Sequence, residues 1–252
     1  MAIALATLVE EADRYLNAAR INDYCPNGLQ VEGRPQVRRI VSGVTASQAL
    51  LDAAVEAGAD VVLVHHGYFW KGENPCVTGM KRRRLHTLLA NDMSLLAYHL
   101  PLDVHADVGN NVQLAGQLGI TLEGPLEPEN PSTVGLVGSL AEAMSAQDFA
   151  RHVHQVLGRE PLLIAGEGMI RRVGWCTGGG QGYIDQAIAA GVDLYLTGEA
   201  SEQTFHSAQE SGVSFIAAGH HATERYGVQA LGEYLARRFA IEHVFIDCPN
   251  PI

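Results

Sequence analysis

The stretch Asp52-Ala-Ala-Val-Glu-Ala-Gly-Ala-Asp60-Val-Val-Leu-Val-His-His66 reads as a helix, a glycine stop and a buried strand. It aligns without a gap with Asp185-Gln-Ala-Ile-Ala-Ala-Gly-Val-Asp193-Leu-Tyr-Leu-Thr-Gly-Glu199. Alanine-rich helices pack closely on sheets, glycine suits the left-handed position after a helix, and unbroken apolar runs are typical of central parallel strands. This internal sequence repeat predicts an α/β protein of two similar halves from an internal duplication, with mixed sheets flanked by helices.

The flanking patterns predict a similar order of elements on both sides of a central connection. In the first half we predict helices over about 3–19, 47–57, 82–91 and 110–118 and strands over 39–44, 61–66 and 94–99. In the second half we predict helices over 146–157, 181–190, 202–211 and 224–238 and strands over 133–139, 161–165, 171–176, 193–197, 213–218 and 243–247. Residues 121–132 concentrate proline and acid, as an exposed connection would. The predicted domains are therefore 1–124 and 125–252.

The overall composition indicates an ordinary globular protein with an excess of acidic over basic residues. The chain has 252 residues, of which 47% are hydrophobic and 18% are charged, and its formal net charge is -11. No apolar run approaches the ~20 residues that span a bilayer, and the amino terminus lacks a basic segment, so we expect a cytoplasmic protein without a membrane partner. The acidic charge makes nucleic acid an unfavourable partner. The four cysteines show no Cys-x-x-Cys spacing, which argues against a zinc ribbon and a redox pair.

Histidine or carboxylate side chains follow three separate apolar runs, at 61–64, 94–98 and 213–218. The carboxyl ends of the strands in an open α/β sheet form the crevice where ligands bind, so groups distant in sequence converge there. Nitrogen and carboxylate ligands suit iron, manganese or zinc, and a bridging carboxylate allows two ions to be held. The candidate metal ligands are His65, His66, Asp103, His220 and Glu224.

Each of these side chains alone is a weak signal, because a histidine at a strand end is more often a hydrogen-bonded core or surface group. His65 and His66 point to opposite faces of a strand, so they serve one site only if the chain turns, as Gly67 allows, or if each binds a different ion. Asp103 follows Pro101, whose ring ends the strand and turns the next residues outward, so that the carboxylate could bridge two cations.

The remaining motifs have two interpretations each. His220 and Glu224 are four residues apart, a spacing that brings two side chains together on a helix or around its first turn. For His99, His105 and His221 we favour supporting or structural roles, because ligands need partners that orient them. Residues 178–180, three glycines, favour a tight strand-to-helix turn over an anion-binding nest. The basic run 81–84 favours a solvated helix face over a phosphate contact.

Several short motifs together resemble the Nif-three-like family, whose members are often called GTP cyclohydrolase I type 2 homologues. The motifs are Asn27-Gly-Leu-Gln30-Val, Gly43-Val-Thr45-Ala-Ser, His65-His-Gly67, His99-Leu-Pro-Leu-Asp103, Thr197-Gly-Glu199 and Gly219-His-His-Ala-Thr-Glu224. The resemblance covers about residue 20 to the carboxyl terminus, in the compact form without an inserted domain. It implies two α/β halves facing each other, a dinuclear metal site in the cleft between them, and a homohexameric ring enclosing a cavity. The ligands it implies are the same five: His65, His66, Asp103, His220 and Glu224.

The leading functional hypothesis is a metal-dependent hydrolase that acts on a nucleotide or another small polar substrate. Two divalent ions per chain, iron, manganese or zinc, would activate water for attack on a phosphoryl or ring-carbon centre. GTP cyclohydrolase-type ring opening is one such reaction, and cleavage of damaged nucleotides, which would link the protein to DNA damage, is another. Glu199, His99 and His221 are plausible neighbours of the site, but the sequence assigns no catalytic residue.

Two other classes of function remain open at the level of sequence. The first is a non-enzymatic protein that stores, delivers or senses metal, which a coordinatively saturated site would favour. The second is a nucleic-acid-processing factor whose ring encloses a strand, which the net charge of -11 opposes unless the basic run 81–84 lines the cavity.

Overall fold

The computed structural model describes residues 2–252, which form two compact units. The first unit comprises residues 2–109 and Gly227–Cys248, and the second comprises Asn110–Tyr226 and Pro249–Ile252. The chain therefore passes from one unit to the other at 109/110, and the predicted border of the two repeats at 124/125 stays a prediction. The chain also returns to the first unit near its end, because the apolar side chains of residues 228–241 pack into the core formed by the amino-terminal helix.

Strands and helices alternate along much of the chain. The elements up to residue 118 are β1 (Ile3–Ala4), α1 (Leu5–Tyr15), β2 (Gly28–Val31), β3 (Gln36–Val37), β4 (Arg39–Thr45), α2 (Gln48–Glu56), β5 (Val61–His66), α3 (Gly79–Ala90), β6 (Ser94–Ala97), α4 (Leu100–Val104) and α5 (Asn110–Leu118). Those that follow are β7 (Thr121–Pro125), β8 (Leu136–Ser145), α6 (Ala146–Leu157), β9 (Leu162–Ile164), β10 (Met169–Trp175), α7 (Ile184–Ala189), β11 (Leu194–Thr197), α8 (Glu202–Ser211), β12 (Ser214–Ala217), α9 (His220–Thr223), α10 (Arg225–Phe239) and β13 (Glu242–Phe245). Among residues 2–252, no helix combines the length and the apolar character needed to cross a bilayer.

The first unit is built on a mixed sheet in the order β13-β4-β5-β6-β2. The neighbours β13, β4, β5 and β6 pair in parallel, and β2 pairs antiparallel with β6. Side chains of β5 alternate between two cores, with Val61 and Leu63 in one and Val62 and Val64 in the other. Burial on both faces explains why this strand is an unbroken apolar run.

The second unit is built on a mixed sheet in the order β7-β8-β10-β11-β12-β9. Strands β10, β11 and β12 are parallel, whereas β8 and β9 run antiparallel to their neighbours β10 and β12. Leu194 and Leu196 face one core and Tyr195 faces the other, so β11 is also covered on both faces. The protein is thus of the α/β class, with two mixed sheets flanked by helices.

The two sheets share a four-strand pattern, β4-β5-β6-β2 in one and β10-β11-β12-β9 in the other. An aspartate precedes the central strand in both, and its carboxylate accepts hydrogen bonds from two backbone amides at the start of the neighbouring strand. Asp60 bonds to the amides of residues 38 and 39, and Asp193 to those of residues 171 and 172. The glycines before them, Gly58 and Gly191, both have φ of 67°. The aligned sequence stretches therefore adopt the same local structure.

Four predicted segments differ clearly from the structure. The predicted helix 3–19 is divided into the short strand β1 and the helix α1, which ends at Tyr15, and the predicted strand 133–139 is replaced by the longer β8, Leu136–Ser145. Residues 121–132 were predicted to be an exposed connection, but Thr121–Pro125 forms β7 at the edge of the second sheet. Proline is tolerated at the end of an edge strand, which explains why composition alone suggested a loop. The predicted helix 181–190 divides into a 3-10 turn, Gln181–Tyr183, and the short helix α7.

Candidate metal-binding groups

Strand β5 carries His65 to a fully buried position at its carboxyl end. The ring nitrogen Nδ1 of His65 lies 2.9 Å from the backbone carbonyl oxygen of Tyr98. Because a carbonyl can only accept, Nδ1 carries the proton, and a neutral ring keeps its lone pair on Nε2. This Nε2 lies 3.5 Å from Oδ1 of Asp103. The structure therefore places Nε2 of His65 beside a carboxylate.

His66 lies beside His65 although the two side chains are consecutive in a strand. Their ring centroids are 4.5 Å apart, and Nδ1 of His66 lies 3.1 Å from the hydroxyl of Thr45. A Cβ atom on Gly67 would overlap Oε1 of Gln30 and lie 2.6 Å from Cβ of Ala97. The chain can leave the strand at this point only because residue 67 has no side chain.

Asp103 is buried in the short helix α4. Pro101 occupies the first turn of this helix, where its missing N–H costs nothing, and the amide of Asp103 donates to the carbonyl of His99 at 3.1 Å. The predicted outward turn after Pro101 is therefore a helical turn. It directs the carboxylate of Asp103 back towards His65.

His99 is held by a carboxylate that the sequence analysis missed. Nδ1 of His99 lies 2.7 Å from Oδ1 of Asp23, and the same carboxylate accepts from the side chain of Asn27 at 2.9 Å and from the amide of Leu100 at 2.8 Å. Burial by itself would raise the pKa of Asp23, but the hydrogen bonds from His99 and Asn27 outweigh it and hold the pKa at about 2. His65, His66 and His99 each offer a nitrogen within 4.8 Å of the others.

Two neighbouring groups have structural explanations. Cys25 lies within 4.8 Å of Asp23 and His99, counted between possible ligand atoms. Burial and then the charge of Asp23 raise the pKa of Cys25 to about 12, so the thiol stays protonated and is a poor metal ligand. His105 contacts the carbonyl of Tyr15 through Nε2 at 3.0 Å, which supports the structural role predicted for it.

The loop after Gly67 places an aromatic wall beside these imidazoles. The ring centroid of Trp70 lies 4.9 Å from that of His99 and 6.1 Å from that of His66. The indole N–H of Trp70 donates to the carbonyl of Gly67 at 3.2 Å, which holds the ring in place. The loop that follows His66 therefore brings an indole ring next to two imidazoles.

In the second unit, His220 follows β12 and lies between two carboxylates. Nδ1 of His220 is 2.7 Å from Oε1 of Glu199, and Nε2 is 3.2 Å from Oε2 of the buried Glu224. Burial by itself would lower the pKa of His220, but Glu224 and Glu199 outweigh it and raise the pKa to about 9. The ring of His220 thus has a carboxylate on each nitrogen.

The glycine turn at residues 178–180 makes room for this pair. Gly178 has φ of 66°, and a Cβ atom on it would overlap Oε1 of Glu224 and lie 3.0 Å from Nε2 of His220. The carbonyl of Gly178 accepts from the Thr197 hydroxyl at 3.1 Å, and the Gly178 amide donates to Thr223 at 3.0 Å. The structure thus agrees with the preferred interpretation, a tight turn after β10.

The separations within both groups fit metal ligation. Ligands about 2.1 Å from a tetrahedral ion are about 3.4 Å apart. The pair His65–Asp103 at 3.5 Å and the pair His220–Glu224 at 3.2 Å are close to that value. The backbone carbonyl of Tyr98 and the carboxylate of Glu199 hold the far nitrogens of the two rings, as is usual for ligating histidines.

The structure brings the predicted ligands together in two groups, one within each unit. His65, His66 and Asp103 meet in the first unit, and His220 and Glu224 meet in the second. The prediction that both groups share a pair of ions in a cleft stays a prediction. Asp23, Asn27 and Tyr98 were not singled out as supporting groups, and the only signal was the motif that contains Asn27.

These observations define the chain as a two-unit α/β protein with histidine and carboxylate groups at the carboxyl ends of its strands. A family model described as DUF34/NIF3 (NGG1p interacting factor 3) matches residues 3–251. The chain therefore belongs to this family.

Individual relatives agree with this assignment over the full length. A Pseudomonas aeruginosa protein named GTP cyclohydrolase 1 type 2 homolog is 81% identical over 251 residues, 100% of both chains. A protein of the same name from Escherichia coli K12 is 56% identical and covers 94% of both. The solved structure of protein ybgI, described as of unknown function, has a TM-score of 0.95 at 53% identity and covers 99% of this chain and 100% of its own. TTHA1606 from Thermus thermophilus has a TM-score of 0.91 at 35% identity, with the same coverage.

Proposed function

We propose that this protein is a metal-dependent hydrolase that acts on a nucleotide or a related small polar substrate. It binds two divalent ions per chain through the five predicted ligands, His65, His66, Asp103, His220 and Glu224. The observation that carries the proposal is the separation of the nitrogen and carboxylate atoms, 3.5 Å in one unit and 3.2 Å in the other. Both fit two ligands of one ion.

Neither group by itself supplies a complete set of ligands for two ions. The first unit offers two imidazoles and one carboxylate, and the second offers one of each. Asp103 and Glu224 would each hold an ion through a carboxylate oxygen, and each has a second oxygen that could accept a further contact. Iron, manganese and zinc all accept such ligands.

Divalent ions supply Lewis acidity that activates water at neutral pH. The protein's own contribution is to hold the ligands in one tautomer and orientation. The carbonyl of Tyr98 directs Nε2 of His65 towards Asp103, and Glu199 directs Nε2 of His220 towards Glu224. The indole of Trp70 lies against the rings of His66 and His99.

The nucleotide substrate class is supported by the name of the relatives, GTP cyclohydrolase 1 type 2 homolog. Ring opening of a guanine nucleotide and hydrolysis of a damaged nucleotide are both compatible with a water activated between histidine and carboxylate ligands. A substrate with a planar ring also suits the indole of Trp70, since aromatic rings stack favourably.

Metal analysis and an activity screen test this proposal together. Protein purified without added ions is assayed for bound metal, then loaded with iron, manganese or zinc and screened against normal and oxidised nucleotides. Asp103→Asn should lose most bound metal and all turnover, whereas the exposed control Asp185→Asn should keep both. Equal metal content in both variants, or turnover that survives in Asp103→Asn, would refute the proposal.

One observation favours a second function, storage or delivery of metal. His65, Asp103 and Glu224 are all buried, and buried ligands restrict access for a substrate. A protein of this kind would release its ions to a chelator or acceptor and show no turnover with any nucleotide. The activity screen with the fully loaded protein separates the two functions.

A further inference from the structure

A groove in the second unit lies against the supporting partner of His220. Its volume is about 570 Å³, and its lining includes Arg159, Gly198, Glu199, Ala217 and Ile252. A volume of this size accommodates a small organic ligand such as a mononucleotide. The groove therefore connects Glu199, which holds His220, with a cationic side chain.

Arg159 is held at one side of this groove without a carboxylate partner. Its Nη1 atom is buried and makes no hydrogen bond within residues 2–252. A Cβ atom on Gly219 would overlap this Nη1 and lie 2.7 Å from Cδ of Arg159. The guanidinium thus packs on the backbone directly before His220, a position that glycine alone permits.

Several other arginines of this acidic protein have carboxylate partners. Arg34 pairs with Asp60 at 2.9 Å, and Arg172 approaches Glu123 at 3.4 Å. The two glutamates that line the groove already have partners. Glu160 lies 3.1 Å from His154, and Glu199 lies 2.7 Å from His220. Arg159 therefore keeps its positive charge available in a protein whose net charge is -11.

Nη1 is closed off by the backbone at Gly219, so the nitrogens of Arg159 that a ligand in the groove can reach are Nε and Nη2, which also have no hydrogen-bond acceptor among residues 2–252. Phosphate oxygens fit this need, because two of them can accept parallel hydrogen bonds from the planar fork of an arginine. We propose that Arg159 binds the phosphate group of the substrate, so that the protein prefers nucleotides to nucleosides and free bases. The assignment of the ligand as a substrate rests on the proposed function.

Calorimetric titration of the full chain with guanosine 5′-monophosphate and with guanosine tests this inference. The wild type should bind the nucleotide at least about tenfold more tightly, the value of one charged hydrogen bond. Arg159→Gln should bring the two affinities within about threefold of each other. Arg171→Gln, which changes an exposed arginine of the same unit, should leave the preference intact. A preference that survives in Arg159→Gln, or the lack of any preference in the wild type, would overturn the inference.

Two further measurements keep this result separate from the proposed function. Arg159→Lys retains the charge without the planar fork, so it should keep the fold and still lose most of the preference. Bound metal is assayed in every variant, and Arg159→Gln should retain the wild-type amount. If the wild type binds metal normally but shows no preference for the nucleotide, only this inference is refuted. If the wild type prefers the nucleotide, Arg159→Gln loses that preference and the protein binds no metal, only the metal-dependent function is refuted.

Discussion

At the scale of single residues, the site depends on atoms that hold the ligands and on positions where a side chain is excluded. The carbonyl of Tyr98 and the carboxylate of Glu199 fix the two imidazole orientations. Gly67 and Gly178 let the chain turn within contact distance of polar side chains. A substitution at a glycine of this kind should therefore change the site although glycine itself binds nothing.

Gly178→Ala should disrupt the second ligand group. The added methyl would overlap Oε1 of Glu224, and residue 178 has a left-handed φ of 66°. We expect a loss of about 1–3 kcal/mol in the free energy of unfolding and a clear drop in bound metal. Gly182→Ala is the matched control, because its Cβ would meet nothing within 4 Å. Metal content and urea unfolding check the prediction, and equal results for both variants would contradict it.

His243 should make stability depend on pH. Burial lowers its pKa below 6.5, against the opposing charge of Glu233, and Nε2 lies 2.7 Å from the Ser42 hydroxyl. Below pH 6.5 the unfolded chain binds a proton that the folded chain does not bind until a lower pH, so stability falls as the pH falls. His243→Gln should reduce this loss between about pH 7 and 5, whereas the exposed control His206→Gln should not. Unfolding curves at several pH values that coincide for His243→Gln and the wild type would disprove the effect.

At the scale of elements, the candidate ligands follow parallel strands inside each sheet. Strand β5 ends in His65 and His66, and β12 leads through Gly219 into His220. The same four-strand pattern and the same aspartate contacts occur in both units. This repeated local structure agrees with an internal duplication, which stays a prediction.

The paired aspartates should be important for the stability of both sheets. Asp60 accepts two backbone amides and the Arg34 guanidinium, and Asp193 accepts two backbone amides. Asp60→Ala and Asp193→Ala should each lower the free energy of unfolding by about 2–4 kcal/mol, since amides lose buried acceptors. Asp52→Ala, at an exposed helix position, should change it by less than about 1 kcal/mol. Chemical denaturation measures all three, and a change at Asp60 as small as at Asp52 would rule out the proposed role.

At the scale of the whole molecule, the family resemblance predicts a homohexameric ring. Light scattering coupled to size exclusion should then give six times the chain mass of 27.0 kDa. Because each chain carries a net charge of -11, a ring places many acidic groups near one another, and high salt should stabilise it. A mass equal to that of one chain at micromolar concentration would contradict the proposal.

The α/β class, the central strands and the candidate ligands can all be predicted from the amino-acid sequence. Unbroken apolar runs in β5 and β11 follow from burial on both faces, and a histidine after such a run lies at a strand's carboxyl end whatever surrounds it. The local patterns also predicted helices α5, α6 and α8 with the bounds that the structure has.

The side chains that hydrogen-bond to the ligands, and the distant segments that belong to each unit, could not be predicted from the sequence. Asp23 reaches His99 across 76 positions of the chain, and β13 pairs with β4 across about 200, so neither contact leaves a periodic pattern. Edge strand β7 contains a proline that local rules assign to a loop. Such features depend on long-range packing and hydrogen bonding, which overrides local preference wherever buried polar groups must find partners.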